Sequence, residues 1–567
     1  MINRRRHQST FVTSALSLAL LFLLVAANFT SHAQEQRERR VPSPINVIST
    51  PAPTPTPSPS FPVRIPTPSP SPIVVPEHGR TGTQSLSELQ LRISEILRKP
   101  ELAPATIGIK VASVETGRVL FETNSNKLLR PASNMKLYTV AAALDRLSPD
   151  YRFVTSVYAR SKPDAAGIVH GDLTIYGRGD PSIAARFNNG NYFKGIDELA
   201  ARIIAAGVKR VEGDLVGDET YFVGPQYGSG WEWDDLTWWY GAEVSSLTVN
   251  DNALDLSVKP GNQPGVPALV TTGPPDPLLT VTNRVVTGPR GTKRDITIYR
   301  GLASDVLELH GSIPLDDRGF SGGIGISRPA LLFIYLLRAS LAQQGVTISG
   351  RSRTVAPSVV PVGSNGGSST GSTMQLELTT MSSPPLSVVA AHTLKPSQNL
   401  YTELILRTLG VAPPVKPESL PNRTSEAAGI EVVRTFLREA GVDPITLVLN
   451  DGSGLSRGDM ITADATVKLL SYMRRHRHAT AFRDALPIAG IDGTLRNRLK
   501  GTPAENNLRA KTGTLSSASS LSGFVRDAAG EELVFSIIVN NYEENVDVRS
   551  LCIDPIAVLL ASFSGKP

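Results

Sequence analysis

The sequence predicts an α+β protein whose first and last parts share one body, with a β-rich segment inserted between them. Three observations carry this. Residues 85–147 pattern as helix, hairpin and helix. From about Tyr151 to Thr373, short strand-like runs alternate with Gly, Pro and Asp turns, as in Gly171-Asp172-Leu173-Thr174-Ile175-Tyr176-Gly177. After residue 383 helices dominate again, and strands return only near the end. The length, 567 residues, suits about three to four domains, and 40% hydrophobic with 19% charged residues is a globular composition.

The N-terminus reads as an address. Arg4, Arg5 and Arg6 precede an apolar stretch from Ala15 to Ala27, short for a membrane span, and Ser31-His32-Ala33 offers small residues for cleavage. Residues 1–33 are therefore expected to be a signal peptide, with an uncleaved anchor as the alternative. Those three arginines are half of the formal net charge of +6, so the charge is a targeting feature and argues for no nucleic-acid partner. Residues 34–82 form a Pro/Ser-rich linker, typified by Pro51-Ala52-Pro53-Thr54-Pro55, which favours extended polyproline II and cannot bury a core. It is either a plain spacer or a tether that allows weak wall or membrane association. The single cysteine, Cys552, excludes an internal disulfide, so the core alone must hold the fold.

Folding is expected from residue 83. Ser85-Leu86-Ser87-Glu88 has a capping-box pattern, and Leu89, Leu91, Ile93, Ile96 and Leu97 give the following helix its apolar face. Ile107, Ile109 and Val111 alternate, residues 115–118 turn, and Val119 and Phe121 return as a hairpin. Pro131 then opens a helix whose run Leu137–Leu144 is apolar on every side and belongs in a core. In the insert all four tryptophans fall between Trp231 and Trp239, residues 257–324 look all-β, and one helical stretch, Pro329 to Gln344, interrupts. Residues 363–373 are a Gly/Ser linker. Helices are expected at 385–394, 399–409, 425–440 and 463–475, strands at 447–450, 522–526 and 534–540, and a last helix at 546–563 with a kink at Pro555.

Three clusters stand out. Ser133 and Lys136 are one helical turn apart, so the hydroxyl and the amine share a face. Ser397-Gln398-Asn399 sits at a junction between helices. Lys511-Thr512-Gly513-Thr514 should run along a strand edge just before Ser522-Gly523-Phe524-Val525. Each is a weak signal alone; together, in this order, they are the Ser-x-x-Lys, Ser-x-Asn and Lys-Thr-Gly set. With this set the chain resembles the low-molecular-mass class C penicillin-binding proteins, D-alanyl-D-alanine carboxypeptidases and endopeptidases of peptidase family S13, over about residues 83–567. The most specific sign is the 264 residues between Ser133 and Ser397, where that family carries two extra domains. Residues 451–457, 488–495 and 521–525 also match.

The resemblance implies a serine β-lactamase/transpeptidase-like core, an antiparallel sheet flanked by helices, made of residues 83–154 and 374–567. It implies two inserted, largely β domains, one from 155–256 with 325–373 and one from 257–324. It also implies roles that fit the residue types. Ser133 is the nucleophile and Lys136 its base, which must be a neutral amine; burial and the nearby charge of Lys511 would depress its pKa. The N–H groups of Ser133 and Thr514 are the oxyanion donors. Ser397 relays a proton, Asn399 orients Lys136 and the substrate amide, and Lys511 with Thr512, Gly513 and Thr514 holds a terminal carboxylate. Asp235 would bind a free amine on the peptide, Tyr240 would line its pocket, and Arg457 would lie near the substrate. As plain structure, the tryptophans would be core, Asp235 a turn residue and Arg457 a surface ion pair.

No metal or cofactor is expected: His476 and His478 are too few for a four-coordinate site, and no phosphate-binding glycine pattern is present. The expected activity is a periplasmic or envelope serine carboxypeptidase and endopeptidase acting on peptidoglycan stem peptides, with β-lactam antibiotics as inhibitors. The alternatives are a β-lactamase or esterase on the same core, and a non-catalytic wall-binding protein.

Overall fold

Strand Glu532–Asn540 is apolar on both of its faces, and the computed structural model shows why. It is the middle strand of a five-stranded antiparallel sheet, in the order 509–515, 518–526, 532–540, 106–113, 119–123. Both faces of this sheet are covered, which removes the usual apolar-polar alternation. Phe535, Ile537 and Val539 pack with Leu89 and Ile93 of helix Leu86–Leu97 and with Ile556 and Leu560 of helix Asp554–Ser562. Val534 and Ile538, on the other face, join Leu137 and Val140 of helix Met135–Leu147 and Leu469 and Met473 of helix Ala463–Arg475.

The structure describes residues 85–274, 276–356, 375–412 and 423–565. The expected signal peptide, the Pro/Ser-rich linker and the Gly/Ser linker lie outside them. Among the described residues no helix is long and apolar enough to cross a membrane.

Helix Met135–Leu147 is the axis of the site-bearing body. Every residue from Met135 to Leu144 is buried, because the sheet covers one side and helices Leu386–Leu394, Asn399–Val411 and Ser425–Glu439 cover others. The insert begins with strand Val154–Ala159. It builds a mixed sheet in the order 352–355, 215–218, 173–176, 154–159, 376–382. A second body holds two three-stranded sheets, one of 280–288, 306–314 and 295–300, the other of 320–325, 253–259 and 269–273.

Several expectations need correction. Strand Leu376–Ser382 pairs with Val154–Ala159, so the chain re-enters the first body after Ser382 rather than at 374. Strand Ala253–Lys259 pairs with Phe320–Gly325, so the all-β body starts a few residues before 257. The larger insert is less purely β than expected, because helix Lys194–Ala205 packs beside helix Pro329–Gln343; its buried face is Ile196, Leu199, Ala200 and Ile203. Residues 447–450 form only an isolated bridge, Val448 with Met460, because a loop and not a strand follows. The last helix is split into a π-turn, Arg549–Ile553, and an α-helix, Asp554–Ser562, with Pro555 in its first turn, where a missing N–H costs nothing.

Candidate active site

The site is built where three segments converge on the start of helix Met135–Leu147. Ala132, Ser133 and Asn134 form a single 3-10 turn before it. Ala132 has φ 47, in the left-handed region, and its strained turn leaves Ser133 partly exposed between buried neighbours. Two glycines let the other segments close on it. A Cβ at Gly513 would lie 2.5 Å from the Pro131 carbonyl, and one at Gly454 would lie 1.9 Å from the Ala132 carbonyl. Asn134, buried, completes the seam: its Nδ2 donates to the Lys511 carbonyl at 3.2 Å and to Ser520 Oγ at 2.5 Å.

Lys136 has no exposed surface. Its Nζ lies 2.8 Å from Ser133 Oγ, 2.6 Å from Asn399 Oδ1 and 2.7 Å from the Ser453 carbonyl. The last two oxygens can only accept, so they take two N–H bonds, and the remaining corner of a neutral amine is a lone pair facing the Ser133 hydroxyl. Burial lowers the Lys136 amine to about 7, against the opposing pull of Asp451, Glu403 and Asp459. Burial first, and then Lys136, hold the Lys511 amine well below the ordinary lysine value.

Ser397, with φ 66, turns the chain between helices Leu386–Leu394 and Asn399–Val411. Its hydroxyl accepts from Lys511 Nζ at 2.8 Å, and Lys511 also donates to the Thr512 carbonyl at 2.9 Å. Lys511 is fully buried, so it has no exposed amine to offer a carboxylate directly. Thr512 is buried and its hydroxyl donates to Thr494 Oγ1 at 2.8 Å, whereas Thr514 is exposed. Strand Arg509–Leu515 is the edge of its sheet. The Ala510 N–H leaves the sheet to reach the Pro487 carbonyl at 3.0 Å. Because strand N–H groups alternate, Thr512 and Thr514 point theirs the same way, off the open edge.

The insert reaches this site through residues 225–241. The Tyr240 carbonyl accepts from Asn399 Nδ2 at 2.8 Å, which fixes that amide with Oδ1 toward Lys136. The Tyr240 ring packs against Trp239. Asp235 is buried, and its Oδ2 receives Arg457 Nη1 at 2.5 Å; burial nevertheless raises its carboxyl to about 6, with Arg457 acting against the rise. Glu232, Asp234 and Asp235 lie within 4.8 Å of one another, but Arg457 already occupies this carboxylate group through Asp235 and Glu232. His476 is taken up by Asp145 at 2.9 Å, at the end of helix Ala463–Arg475.

Sequence reasoning assigned no role to the residues that support these. Asp451 accepts from Gly454 N, Leu455 N, Ser456 N and Ser453 Oγ, which curls the loop that presents the Ser453 carbonyl to Lys136. Trp231 Nε1 adds a fifth donor to Asp451, at 2.8 Å. Glu403 accepts from the Gly452 N–H at 3.0 Å. The signal for Glu403 was present, a charged residue inside an apolar helix and one turn from Asn399.

The family model for the D-Ala-D-Ala carboxypeptidase 3 (S13) family matches residues 89–562. The chain is 35% identical over 491 residues to a D-alanyl-D-alanine carboxypeptidase of Actinomadura sp. (strain R39), covering 85% of this chain and 86% of that protein. It is 23% identical over 458 residues to the D-alanyl-D-alanine carboxypeptidase DacB of Haemophilus influenzae, covering 80% and 88%. The fold matches the crystal structure of penicillin binding protein 4 from Haemophilus influenzae with TM-score 0.70 and 21% identity, covering 84% of this chain and 99% of that one. A second structure of that protein is complexed with a β-lactam, at TM-score 0.64, 20% identity, and 82% and 97% coverage.

Proposed function

The chain belongs to the D-Ala-D-Ala carboxypeptidase 3 (S13) family, and from that premise we propose that it is a penicillin-binding, serine-type D-Ala-D-Ala carboxypeptidase that trims peptidoglycan stem peptides through an acyl-enzyme on Ser133. Endopeptidase cleavage of cross-links is the same chemistry with a different leaving amine, and is part of the proposal. The observation that carries it is the Lys136 amine: buried, at about 7, with two N–H bonds taken by acceptors and Ser133 Oγ at 2.8 Å.

In this reading Lys136 takes the Ser133 proton as the hydroxyl attacks the penultimate peptide carbonyl. The oxyanion sits between the N–H groups of Ser133 and Thr514. The terminal carboxylate of the substrate meets the exposed Thr514 hydroxyl, with Lys511 acting through its charge and through Ser397, which passes a proton to the departing D-Ala amine. Water then hydrolyses the ester. A β-lactam would acylate the same serine and leave slowly. Asp235, Arg457 and Tyr240 form the end of the cleft that receives the peptide side chain. We further read the protein as exported to the periplasm or cell envelope, on the strength of Arg4–Arg6, the apolar run Ala15–Ala27 and the small residues that follow.

Mass spectrometry after incubation with a penicillin tests this. One adduct is expected, on Ser133, absent in Ser133→Ala, and the parent should release D-Ala from a peptide ending in D-Ala–D-Ala. An adduct elsewhere, no adduct, or no D-Ala release overturns the proposal. Steady β-lactam turnover without accumulated acyl-enzyme would favour a β-lactamase instead.

A further inference from the structure

Helix Asn399–Val411 carries a file of three buried polar side chains one turn apart: Asn399, Glu403 and Arg407. Asn399 meets Lys136, and Arg407 donates to the Pro225 and Tyr227 carbonyls at 2.7 and 3.3 Å. Glu403, between them, has no exposed surface, and burying a carboxyl group is costly where hydrophobic packing alone would serve. It accepts from the Gly452 N–H, at 3.0 Å.

The Gly452 residue is held from both sides. Thr139, on helix Met135–Leu147, donates its hydroxyl to the Gly452 carbonyl at 2.8 Å. A Cβ at Gly452 would lie 3.0 Å from Leu406 Cβ and 3.3 Å from Thr139 Oγ1, so the chain is squeezed between the two helices. The next carbonyl, that of Ser453, is the one that accepts from Lys136 at 2.7 Å. A shift of the Gly452 peptide therefore moves an acceptor of the base.

We propose that Glu403 is a positioning residue for the reaction: through the Gly452 N–H it holds the Ser453 carbonyl against Lys136, and so aims the amine lone pair at Ser133. This rests on the reading of Lys136 as the base. Burial, and then Asp451 and Glu426, push the Glu403 carboxyl above the ordinary range, and Arg407 acts the other way. Lys136 is faced by Asp451, Glu403 and Asp459, and shares the site with Lys511. A glutamine at this position would keep an acceptor oxygen for the Gly452 N–H.

The test measures the rate of penicillin acylation of Ser133 against pH in the full-length protein, for Glu403→Gln and Glu403→Met. The glutamine variant keeps the acceptor and is expected to acylate at a plateau rate within about threefold of the parent. The methionine variant keeps the length and loses the acceptor. Its plateau rate is expected to fall at least about ten-fold, in the acylation rate constant and not in the dissociation constant of the initial complex. Its acid limb should move to lower pH, because the Lys136 ammonium loses a fixed acceptor. A methionine variant with the parent's rate and limb, or a glutamine variant as impaired as the methionine one, overturns the inference. Should the methionine variant fail to fold, Thr139→Val removes the bond on the other side of the same residue, Gly452, and parent-like acylation there overturns it. A parent that takes no adduct on Ser133 overturns this inference together with the proposed function, whereas an acylated parent with indifferent variants overturns this inference alone.

Discussion

Asp235 of the insert and Arg457 of the site-bearing body are joined at 2.5 Å, although 222 residues separate them in the chain. A cationic group on a peptide can reach Asp235 only by sharing it with this guanidinium. Selectivity for an amine-bearing side chain should then depend on the Asp235 charge. Asp235→Asn is expected to lower the kcat/KM ratio of a free-amine peptide over its N-acetylated form by about ten-fold. In the parent the ratio should rise as the pH passes upward through about 6, where the buried carboxyl ionises. Equal ratios in parent and variant would remove Asp235 from substrate recognition.

The Lys136 amine gives a second pH dependence of known sign. Acylation needs the neutral amine, so its rate should climb as the pH rises through about 7 and level off above. Stability moves in the same direction. The folded value lies below the unfolded value near 10.5, so between these the unfolded chain binds more protons, and the contribution of Lys136 to stability grows with pH across that window. Stopped-flow acylation with a chromogenic β-lactam measures the first effect and denaturation at several pH values the second. A rate that is flat from pH 6 to about 9 would exclude a titrating amine as the base.

Trp231 ties the insert to the loop that supports Lys136. Trp231→Phe keeps the ring but removes the donor to the buried Asp451. The expected cost is about 1–3 kcal/mol in chemical denaturation, with slower acylation of Ser133. Unchanged values for both would make that hydrogen bond incidental.

Patterns local to the chain were the readable part of the fold. The 3.6-residue apolar period marked helix Ala463–Arg475 to the residue, and the Ser85 cap is present, accepting from the Glu88 N–H. Helix Lys194–Ala205 was missed because its apolar face, Ile196, Leu199 and Ile203, is surrounded by turn-rich sequence that reads as strand and loop. Residues 447–450 have strand-like composition, yet find one bridge partner and no ladder.

The sequence by itself determined which residue types the site contains, their order along the chain, and the large insert between Ser133 and Ser397. These follow from side-chain identity and short-range spacing. Tertiary structure alone decided that the Ser453 carbonyl and the Tyr240 carbonyl would face the site. Every residue but proline carries the same backbone groups, so no residue type announces them. It also decided that Asp235 would spend its charge on Arg457, and that Lys136 would be buried deeply enough to lose its proton near neutrality. Both outcomes depend on which surfaces pack against which across hundreds of residues, and that choice is made by the whole core at once.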